Sequence, residues 1–350
     1  MDTSEIEVDG YQKVVRGRDE ASGLHALIAV HDTTLGPALG GMRMLPYASE
    51  DEALFDVLRL SKGMTYKSAV ADTGLGGGKC VVLGDPKKAK SEALFEAMGE
   101  FVDSLDGLYI TAEDMNIGIP DLEIVRRKTR WVTGLSRESG SSGNPSPYTA
   151  EGCLHGMHAV LEEAFGSPDP SGRRILIQGI GAVGGRLAVL LKEAGAEVII
   201  CDINEARVEK MKAEHGFESV PDETHLETEC DIYSPCARGA GINDETIPQL
   251  KCTAVAGCAN NQLLDFEHAE ALRAAGILYA PDYVINAGGI INVAVELLPG
   301  GYDEEVARKR IEGIRTNLKH VFDIARSEGT ATNKAALMLA ERRLAEKKKA

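Results

Sequence analysis

The chain has 350 residues, of which 43% are hydrophobic and 26% charged, and its net charge is −16 at pH 7. This length predicts two domains in an ordinary globular protein, and so acidic a surface argues against nucleic acid as a partner because it repels phosphate backbones. No apolar run approaches the roughly 20 residues that cross a bilayer, and the first residues, MDTSEIEVDG, do not resemble a signal peptide. We therefore expect a cytoplasmic protein without a membrane partner.

The first half of the chain alternates predicted strands and helices. Ser49 and Glu52 stand at the spacing of a capping box, and the apolar residues that follow predict a helix to about Lys62. The other elements predicted here are strands at residues 24–31, 79–83 and 108–111 and a helix at residues 91–105.

A glycine-, serine- and proline-rich stretch, SGSSGNPSP at residues 139–147, marks a loop between domains. We expect one domain over residues 1–140 and a second over residues 141–325. Residues 326–350 form a C-terminal helical segment that we expect to pack back on the first domain.

The second half begins with a predicted helix at residues 149–165, followed by a strand–helix–strand unit. Its parts are a strand at residues 174–178, a helix at 182–194 and a strand at 197–202. Such a unit implies parallel strands with a right-handed crossover, and hence a doubly wound sheet. Further strands are predicted at residues 253–257 and 277–280, and further helices at 303–326 and 334–349.

A glycine motif joins the first strand of this unit to its helix. Gly179, Gly181 and Gly184 fit G-x-G-x-x-G, with Ala182 and Val183 completing the turn at the helix start. This strand–turn–helix context is the one that binds the pyrophosphate of a dinucleotide.

Asp202, at the end of the next strand, stands where a carboxylate accepts hydrogen bonds from the adenosine ribose. The same carboxylate would repel a 2′-phosphate, so the motif predicts NAD rather than NADP. The alternative is a glycine turn with an incidental aspartate.

Three segments of the first half carry polar residues among glycines. They are Leu39–Arg43 (LGGMR), Lys67 with the later run Gly76–Lys79 (GGGK), and Ala112–Asn116 (AEDMN). Glycines let a ligand or another backbone approach closely. Two lysines in one pocket would lower the pKa of one amine, which could then act as a general base beside an aspartate. The alternative is that these are ordinary surface charges.

Nine segments, in order from about residue 30 to 295, resemble the signatures of leucine and related amino-acid dehydrogenases. This is the leucine and valine branch of the glutamate/leucine/phenylalanine/valine dehydrogenase family. The segments read LGPALGGMR, GMTYKSA, GGGKCVV, TAEDMN, SGNPSPYTAEG, GIGAVGGRLA, SPCARGAGIND, GCANNQL and PDYVINAGGIINVA. The resemblance implies an α/β fold in which an N-terminal α/β catalytic domain precedes a doubly wound Rossmann NAD-binding domain, with the active site in the cleft between them.

The resemblance also implies roles for single residues. Lys67 would hold the substrate carboxylate, Lys79 would be the catalytic lysine, and Asp114 would relay protons beside it. Gly40 and Gly41 match a glycine pair near the substrate carboxylate.

In the second half, Thr149 matches a threonine near the nicotinamide carboxamide. Asn260 and Asn261 match an asparagine pair that lines the cleft. We assign Asn260 to the cofactor and Asn261 to the substrate, although the resemblance leaves open which of the two contacts a ligand.

The positions that match the family's side-chain pocket are Leu39, Ala112, Ile290 and Val293, and all four are apolar. A glutamate side chain would lose its hydration there without gaining a cationic partner. Bulky aliphatic residues also leave little room for phenylalanine, so the pocket predicts leucine, isoleucine and valine as substrates. The alternative for these four residues is a place in the core.

Two other functions remain open. One is a dehydrogenase for another apolar amino acid, phenylalanine or tryptophan, and the other is a non-catalytic, NAD-binding regulatory relative. The family resemblance further implies an assembly of identical chains, an octamer or smaller.

The seven cysteines are odd in number and include no pair with C-x-x-C spacing. This pattern predicts buried, reduced thiols and neither a metal site nor a disulfide framework.

Overall fold

Twelve strands and eleven α-helices form in residues 1–349, the residues that the computed structural model of the chain describes. The strands are β1 Asp2–Glu5, β2 Lys13–Asp19, β3 Leu24–Asp32, β4 Ala38–Leu45, β5 Gly76–Leu83, β6 Tyr109–Glu113, β7 Arg174–Gln178, β8 Glu197–Cys201, β9 Glu218–Ser219, β10 Ile232–Pro235, β11 Ala254–Val255 and β12 Leu278–Tyr279. The helices are α1 Glu50–Ala71, α2 Glu92–Asp103, α3 Ile119–Arg126, α4 Ser146–Phe165, α5 Gly184–Glu193, α6 Glu205–His215, α7 His268–Ala274, α8 Asp282–Ile285, α9 Gly288–Val295, α10 Glu304–Glu328 and α11 Thr332–Lys349. No helix of the described chain is both long and apolar enough to span a membrane.

The chain divides into two compact units. Unit 1 contains residues 1–144, 293–303 and the residues from Ala340 onward, and unit 2 contains residues 145–292 and 304–339. The sequence predicted consecutive domains with boundaries at residues 140 and 325. In the structure the first boundary lies close to the predicted one, but each unit contains stretches that are separate along the chain. In unit 1, Arg343 of α11 donates to the main-chain oxygens of Ala69 and Val70 at 2.9 and 2.6 Å.

Unit 1 is built on a mixed sheet with the strand order β1-β2-β3-β5-β4-β6. Strand β4 runs parallel to both β5 and β6, while β3 pairs antiparallel with β5. Helix α2 packs on one face through Phe95, Met98 and Phe101, and α1 packs on the other through Ala53 and Val57.

Helix α1 begins as the sequence predicts, because the Ser49 side chain accepts a hydrogen bond from the amide of Glu52 at 3.1 Å. The Glu52 carboxylate, however, accepts from the amide of Ala48 and not from that of Ser49. The expected end near Lys62 is wrong, since α1 continues to Ala71. Its last two turns are held by buried residues that include Thr65, and this tertiary packing outweighs the poor helix propensity of Gly63.

Unit 2 is built on a sheet in which all strands are parallel, in the order β12-β11-β10-β7-β8-β9. Strand β7 has the predicted bounds, and β8 ends at Cys201, one residue before Asp202. The structure thus confirms the α/β fold class and the doubly wound second domain. Ligands of such sheets bind at the carboxyl ends of the strands, where the glycine turn after β7 lies.

Candidate functional site

Strand register in unit 1 brings polar residues of three neighbouring strands together. Strand β4 lies between β5 and β6 and runs parallel to both, so residues at matching register positions stand side by side. Strand register places Lys79 of β5 beside Gly41 of β4, and Gly41 opposite Ala112 of β6. Asp114 follows β6 directly, so two distant segments of the sequence form one polar cluster.

Lys79 and Asp114 form a buried ion pair between Nζ and Oδ2, and their side chains are only 7% and 20% exposed. Burial is the largest influence on Lys79 and lowers the pKa of its amine, against the opposing effect of Asp114. Burial alone would raise the pKa of Asp114, but Lys79 and Arg43 outweigh it and hold that pKa below its usual value. The pair therefore combines an ionised carboxylate with a lysine that loses its proton readily.

Arg43 is a member of this cluster that the sequence reasoning missed. Its guanidinium lies 3.3–3.4 Å from the Asp114 carboxylate and 3.2 Å from Asp56, which also accepts from the Tyr47 hydroxyl at 2.8 Å. Arg43 is a cation that further lowers the pKa of Lys79. The available signal was an arginine two residues after a glycine pair, within an apolar strand, since arginine is seldom buried unless it is paired.

The glycines beside this polar cluster are required because neighbouring protein atoms leave no room for a side chain. A Cβ on Gly77 would overlap the backbone of Thr65 in α1, and a Cβ on Gly40 would overlap the main-chain oxygen of Gly78. A Cβ on Gly41 would lie 2.8 Å from the Cβ of Asp114. The glycines of GGGK could allow either a ligand or another backbone to approach closely. At Gly77 the fold shows the second case, the backbone of α1.

The remaining residues expected in the catalytic half are spread over several elements. Lys67 lies half-buried on α1, two residues after the Thr65 that packs on Gly77. Leu39 and Val293, also in unit 1, are 2% and 8% exposed, and Ala112 is half-buried. A role as pocket residues therefore stays a prediction for these three.

In unit 2 the glycine motif forms the turn between β7 and α5. Gly179 has φ +92°, which a side chain rarely adopts, and a Cβ on Gly184 would lie 2.8 Å from the Cβ of Cys236. A Cβ on Gly181 would meet nothing within 4 Å. Two glycines thus form the turn and its packing, and the third leaves the open side at which a pyrophosphate fits.

Ala182 and Val183 complete this turn, and α5 begins directly after them, at Gly184. A neighbouring cavity of about 370 Å³ is lined in part by Gly179, Gly181 and Asp202.

Asp202 faces this cavity with its carboxylate already engaged. It accepts hydrogen bonds from the amides of Ile180 and Asn204, each at 2.9 Å, and from Arg207 at 3.1 Å. Burial raises its pKa, but these donors outweigh burial and lower it, so the side chain is ionised at neutral pH. Arg207 was not anticipated, and it places a cation next to the position that a 2′-phosphate would occupy.

The other expected residues of unit 2 occupy loops and helix ends. Thr149 is half-buried on α4 and donates to the main-chain oxygen of Pro145 at 3.1 Å. Asn260 is exposed and accepts from the side chain of Asn286 at 2.7 Å. Asn261 is exposed with φ +51°, and Ile290 is 9% exposed in α9. Ligand contacts by these four residues stay predictions.

A buried lysine–aspartate pair in one unit and a dinucleotide-type turn in the other define the class of nicotinamide-dependent dehydrogenases. Two family models match the chain: the dimerisation domain of the Glu/Leu/Phe/Val dehydrogenases over residues 8–133, and the Glutamate/Leucine/Phenylalanine/Valine dehydrogenase domain over residues 200–350. The chain belongs to the glutamate/leucine/phenylalanine/valine dehydrogenase family, which confirms the resemblance seen in its motifs.

The similar proteins include enzymes for different amino acids. Leucine dehydrogenase of Thermoactinomyces intermedius is 52% identical over 95% of this chain and 91% of its own length. Phenylalanine dehydrogenase of the same organism is 45% identical over 96% and 92%. The crystal structure of L-tryptophan dehydrogenase from Nostoc punctiforme superposes with a TM-score of 0.88 at 40% identity, over 97% of each chain.

Proposed function

We propose that the chain catalyses the reversible, NAD-dependent oxidative deamination of leucine, isoleucine and valine to their 2-oxo acids and ammonia. The observation that carries this proposal is the buried pair of Lys79 and Asp114, together with the family to which the chain belongs. Burial of a charged pair has a large desolvation cost, so the pair is best explained by a function that requires it. A regulatory relative without catalysis would not need a buried lysine beside a carboxylate.

The chemistry assigns one task to each group. A bound nicotinamide would supply the acceptor for a hydride from the substrate Cα, and the residues of this chain would act on the iminium carbon that results. Neutral Lys79 takes a proton from water as the water oxygen bonds to that carbon, and Asp114 relays protons as the C–N bond breaks and ammonia leaves. Lys67 holds the substrate carboxylate as a point charge, and the backbone at Gly40 and Gly41 lies near it.

For the cofactor we propose NAD, bound at the turn of Gly179, Gly181 and Gly184. The ionised Asp202 accepts from the ribose hydroxyls and repels a 2′-phosphate. Arg207 weakens this repulsion, because it neutralises part of the same carboxylate. We therefore expect a clear preference for NAD and measurable activity with NADP at high concentration.

For the substrate we propose that Leu39, Ala112, Ile290 and Val293 contact an aliphatic side chain. Apolar contacts of this kind distinguish substrates that differ by one methylene by only about 1–3 kcal/mol, so leucine, isoleucine and valine should react at comparable efficiency. The identity of 52% to a leucine dehydrogenase, against 45% to a phenylalanine dehydrogenase, supports this choice.

The test is the reduction of NAD and of NADP with leucine, isoleucine, valine, phenylalanine, tryptophan and glutamate at equal concentrations. We expect the highest kcat/KM with the three aliphatic substrates and NAD. A higher kcat/KM with phenylalanine or tryptophan would replace the proposed substrate, and no reduction with any of the six would refute catalysis.

We also propose that identical chains assemble, in an octamer or a smaller oligomer, in the cytoplasm. The family model that matches residues 8–133 describes a dimerisation domain, which supports self-association through unit 1. Light scattering of the purified protein gives the number of chains, and a mass of one chain would contradict the proposal.

A further inference from the structure

A cluster of metal-binding side chains lies in unit 2, outside the site described above. Cys201 at the end of β8 comes together with Asp222 and His225 in the segment between β9 and β10. The thiol, one carboxylate oxygen and one imidazole nitrogen lie within 4.8 Å of one another. The fold brings Cys201 to the other two residues from a separate segment, so cysteine spacing along the sequence cannot reveal the cluster.

The Asp222 carboxylate supplies an independent observation that points to a ligand. Its Oδ1 is buried and has no hydrogen-bond partner. A buried polar atom without a partner costs about 1–3 kcal/mol, so such an atom needs an explanation. The nearest cationic candidate is Nδ1 of His225, which lies 3.9 Å away, beyond hydrogen-bond distance.

The imidazole of His225 is held at both of its nitrogens. Its ring stacks on Tyr233, with centroids 5.8 Å apart, and its Nε2 lies 3.2 Å from the Tyr233 hydroxyl. Its Nδ1 hydrogen-bonds the main-chain oxygen of Asp222 and lies 3.9 Å from the Oδ1 of that residue. Histidine ligands typically bond through one nitrogen and donate the other N–H to a polar group, so a metal would replace one of these two hydrogen bonds and leave the other to fix the ring.

The spacing suits a tetrahedral ion after a small adjustment. Zinc bonds of about 2.0–2.3 Å place neighbouring ligand atoms roughly 3.3–3.7 Å apart, so each pair of these atoms needs to close by roughly 1.5 Å at most. The Asp222 and His225 side chains are 20% and 14% exposed, which gives an ion a route to the buried thiol.

We propose that Cys201, Asp222 and His225 form a binding site for a divalent, borderline-soft cation, of which Zn²⁺ is the best match. A thiolate, an imidazole and a carboxylate are all zinc ligands, and water takes the fourth position. On binding, the Cys201 thiol releases its proton to solvent and its sulfur bonds to the metal. The ion would tie the end of β8 to the segment after β9 and so stabilise unit 2.

Cobalt(II) provides a direct test because a cobalt–thiolate bond gives a charge-transfer band in the near ultraviolet. The untagged, full-length protein is stripped with a chelator and titrated with Co²⁺ and then with Zn²⁺. We expect the band to saturate at one equivalent per chain, to disappear when Zn²⁺ displaces cobalt, and to be accompanied by a higher melting temperature. No band in the wild-type protein would overturn the proposal.

Variants locate the site. Cys201→Ser should remove the band, and His225→Gln should weaken cobalt binding at least tenfold. The control is Cys252→Ser, which changes a half-buried cysteine of the same unit outside the cluster and should alter neither the band nor the affinity. A band that persists in Cys201→Ser would mean that the metal binds elsewhere and would refute the assignment. Far-ultraviolet circular dichroism and amino-acid-dependent NAD reduction by each variant show that it is folded, and this control is independent of metal binding.

Discussion

Lys79 is the residue at which burial and chemistry are most directly linked. Burial and Arg43 favour the neutral amine, so Lys79 loses its proton below the usual lysine range. Since only the neutral amine can accept a proton from water, the rate of oxidative deamination should rise with pH as Lys79 deprotonates and then reach a plateau.

Lys79→Ala should lower kcat by about 10²–10⁴ and leave NAD affinity nearly unchanged. Lys67→Ala should instead act mainly on the KM for the amino acid, because it removes a substrate contact. Steady-state kinetics and NAD titration distinguish the two, with Lys62→Ala, an exposed lysine of α1, as the control. Near-normal turnover by Lys79→Ala would contradict the assigned role.

Arg43 is a positioning residue, because it acts through Asp114 and Lys79. Arg43→Gln removes a positive charge beside both groups, so the pKa of Lys79 and that of Asp114 should each rise. The ascending limb of the pH–rate profile should therefore move to higher pH.

Two variants serve as controls for Arg43. Arg43→Lys keeps the charge and should largely keep the position of that limb, while losing rate because a lysine cannot reproduce the geometry of a guanidinium. Arg59→Gln changes an exposed arginine that pairs with the same Asp56, at 3.0 Å, and should leave the profile in place. An unshifted limb in Arg43→Gln would show that Arg43 has only a structural role.

The sequence identified Lys79 and Asp114 because their motifs are local and distinctive. It could not identify Arg43 as a partner of Asp114, Asp56 as a partner of Arg43, or Arg207 as a partner of Asp202, since those contacts depend on strand register and on side-chain direction. The same limit applies to Cys201, which α6 and β9 separate along the chain from Asp222 and His225.

At the scale of the element, the contact between α1 and β5 determines where Lys67 lies. The glycines of β5 let α1 approach the sheet. Because α1 continues beyond the end that the sequence pattern predicts, Lys67 lies on this helix and not in a loop. The spacing of apolar residues predicted an end near Lys62, but the burial of Thr65 and of residues after it extends the helix to Ala71.

Gly77→Ala should destabilise the protein by about 3 kcal/mol or more, because its Cβ would overlap the backbone of Thr65, which cannot move without the helix. It should also raise the KM for the amino acid by displacing Lys67. Gly63→Ala is the matched control on α1, since a Cβ there meets nothing within 4 Å. That variant should gain about 0.5–1 kcal/mol from better helix propensity. Thermal and urea unfolding measure both changes, and equal stability of the two variants would contradict the close packing.

At the scale of the whole molecule, the chain passes from one unit to the other after Asn144, Asn292, Asp303 and Leu339. The glycine- and serine-rich stretch at residues 139–147 indicates the first of these passages in the sequence. Pro299, Gly300 and Gly301 precede the passage after Asp303, whereas the passages after Asn292 and Leu339 lie within α9 and α11, where sequence pattern could not place them.

Arg343 tests how firmly the end of the last helix, from Ala340 onward, is held in unit 1. Its guanidinium bonds the last-turn carbonyls of α1, where a cation also interacts favourably with the helix dipole. Arg343→Ala should therefore cost about 1.5–3 kcal/mol of stability, as for hydrogen bonds to a charged group. Arg342→Ala, its exposed neighbour, should cost less than about 0.5 kcal/mol. Melting curves that agree for the two variants would show that α11 contributes little to unit 1.

The interleaved course of the chain has a consequence for biosynthesis. Domains usually fold as they leave the ribosome, beginning at the N-terminus. Here the first 144 residues cannot complete their unit until residues 293–303 and those from Ala340 onward have also been made. Unit 1 therefore begins to be synthesised first and yet is finished last. Until then, the partly formed unit 1 leaves uncovered the α1 carbonyls that Arg343 will bond, and chaperones have the longest opportunity to act on it.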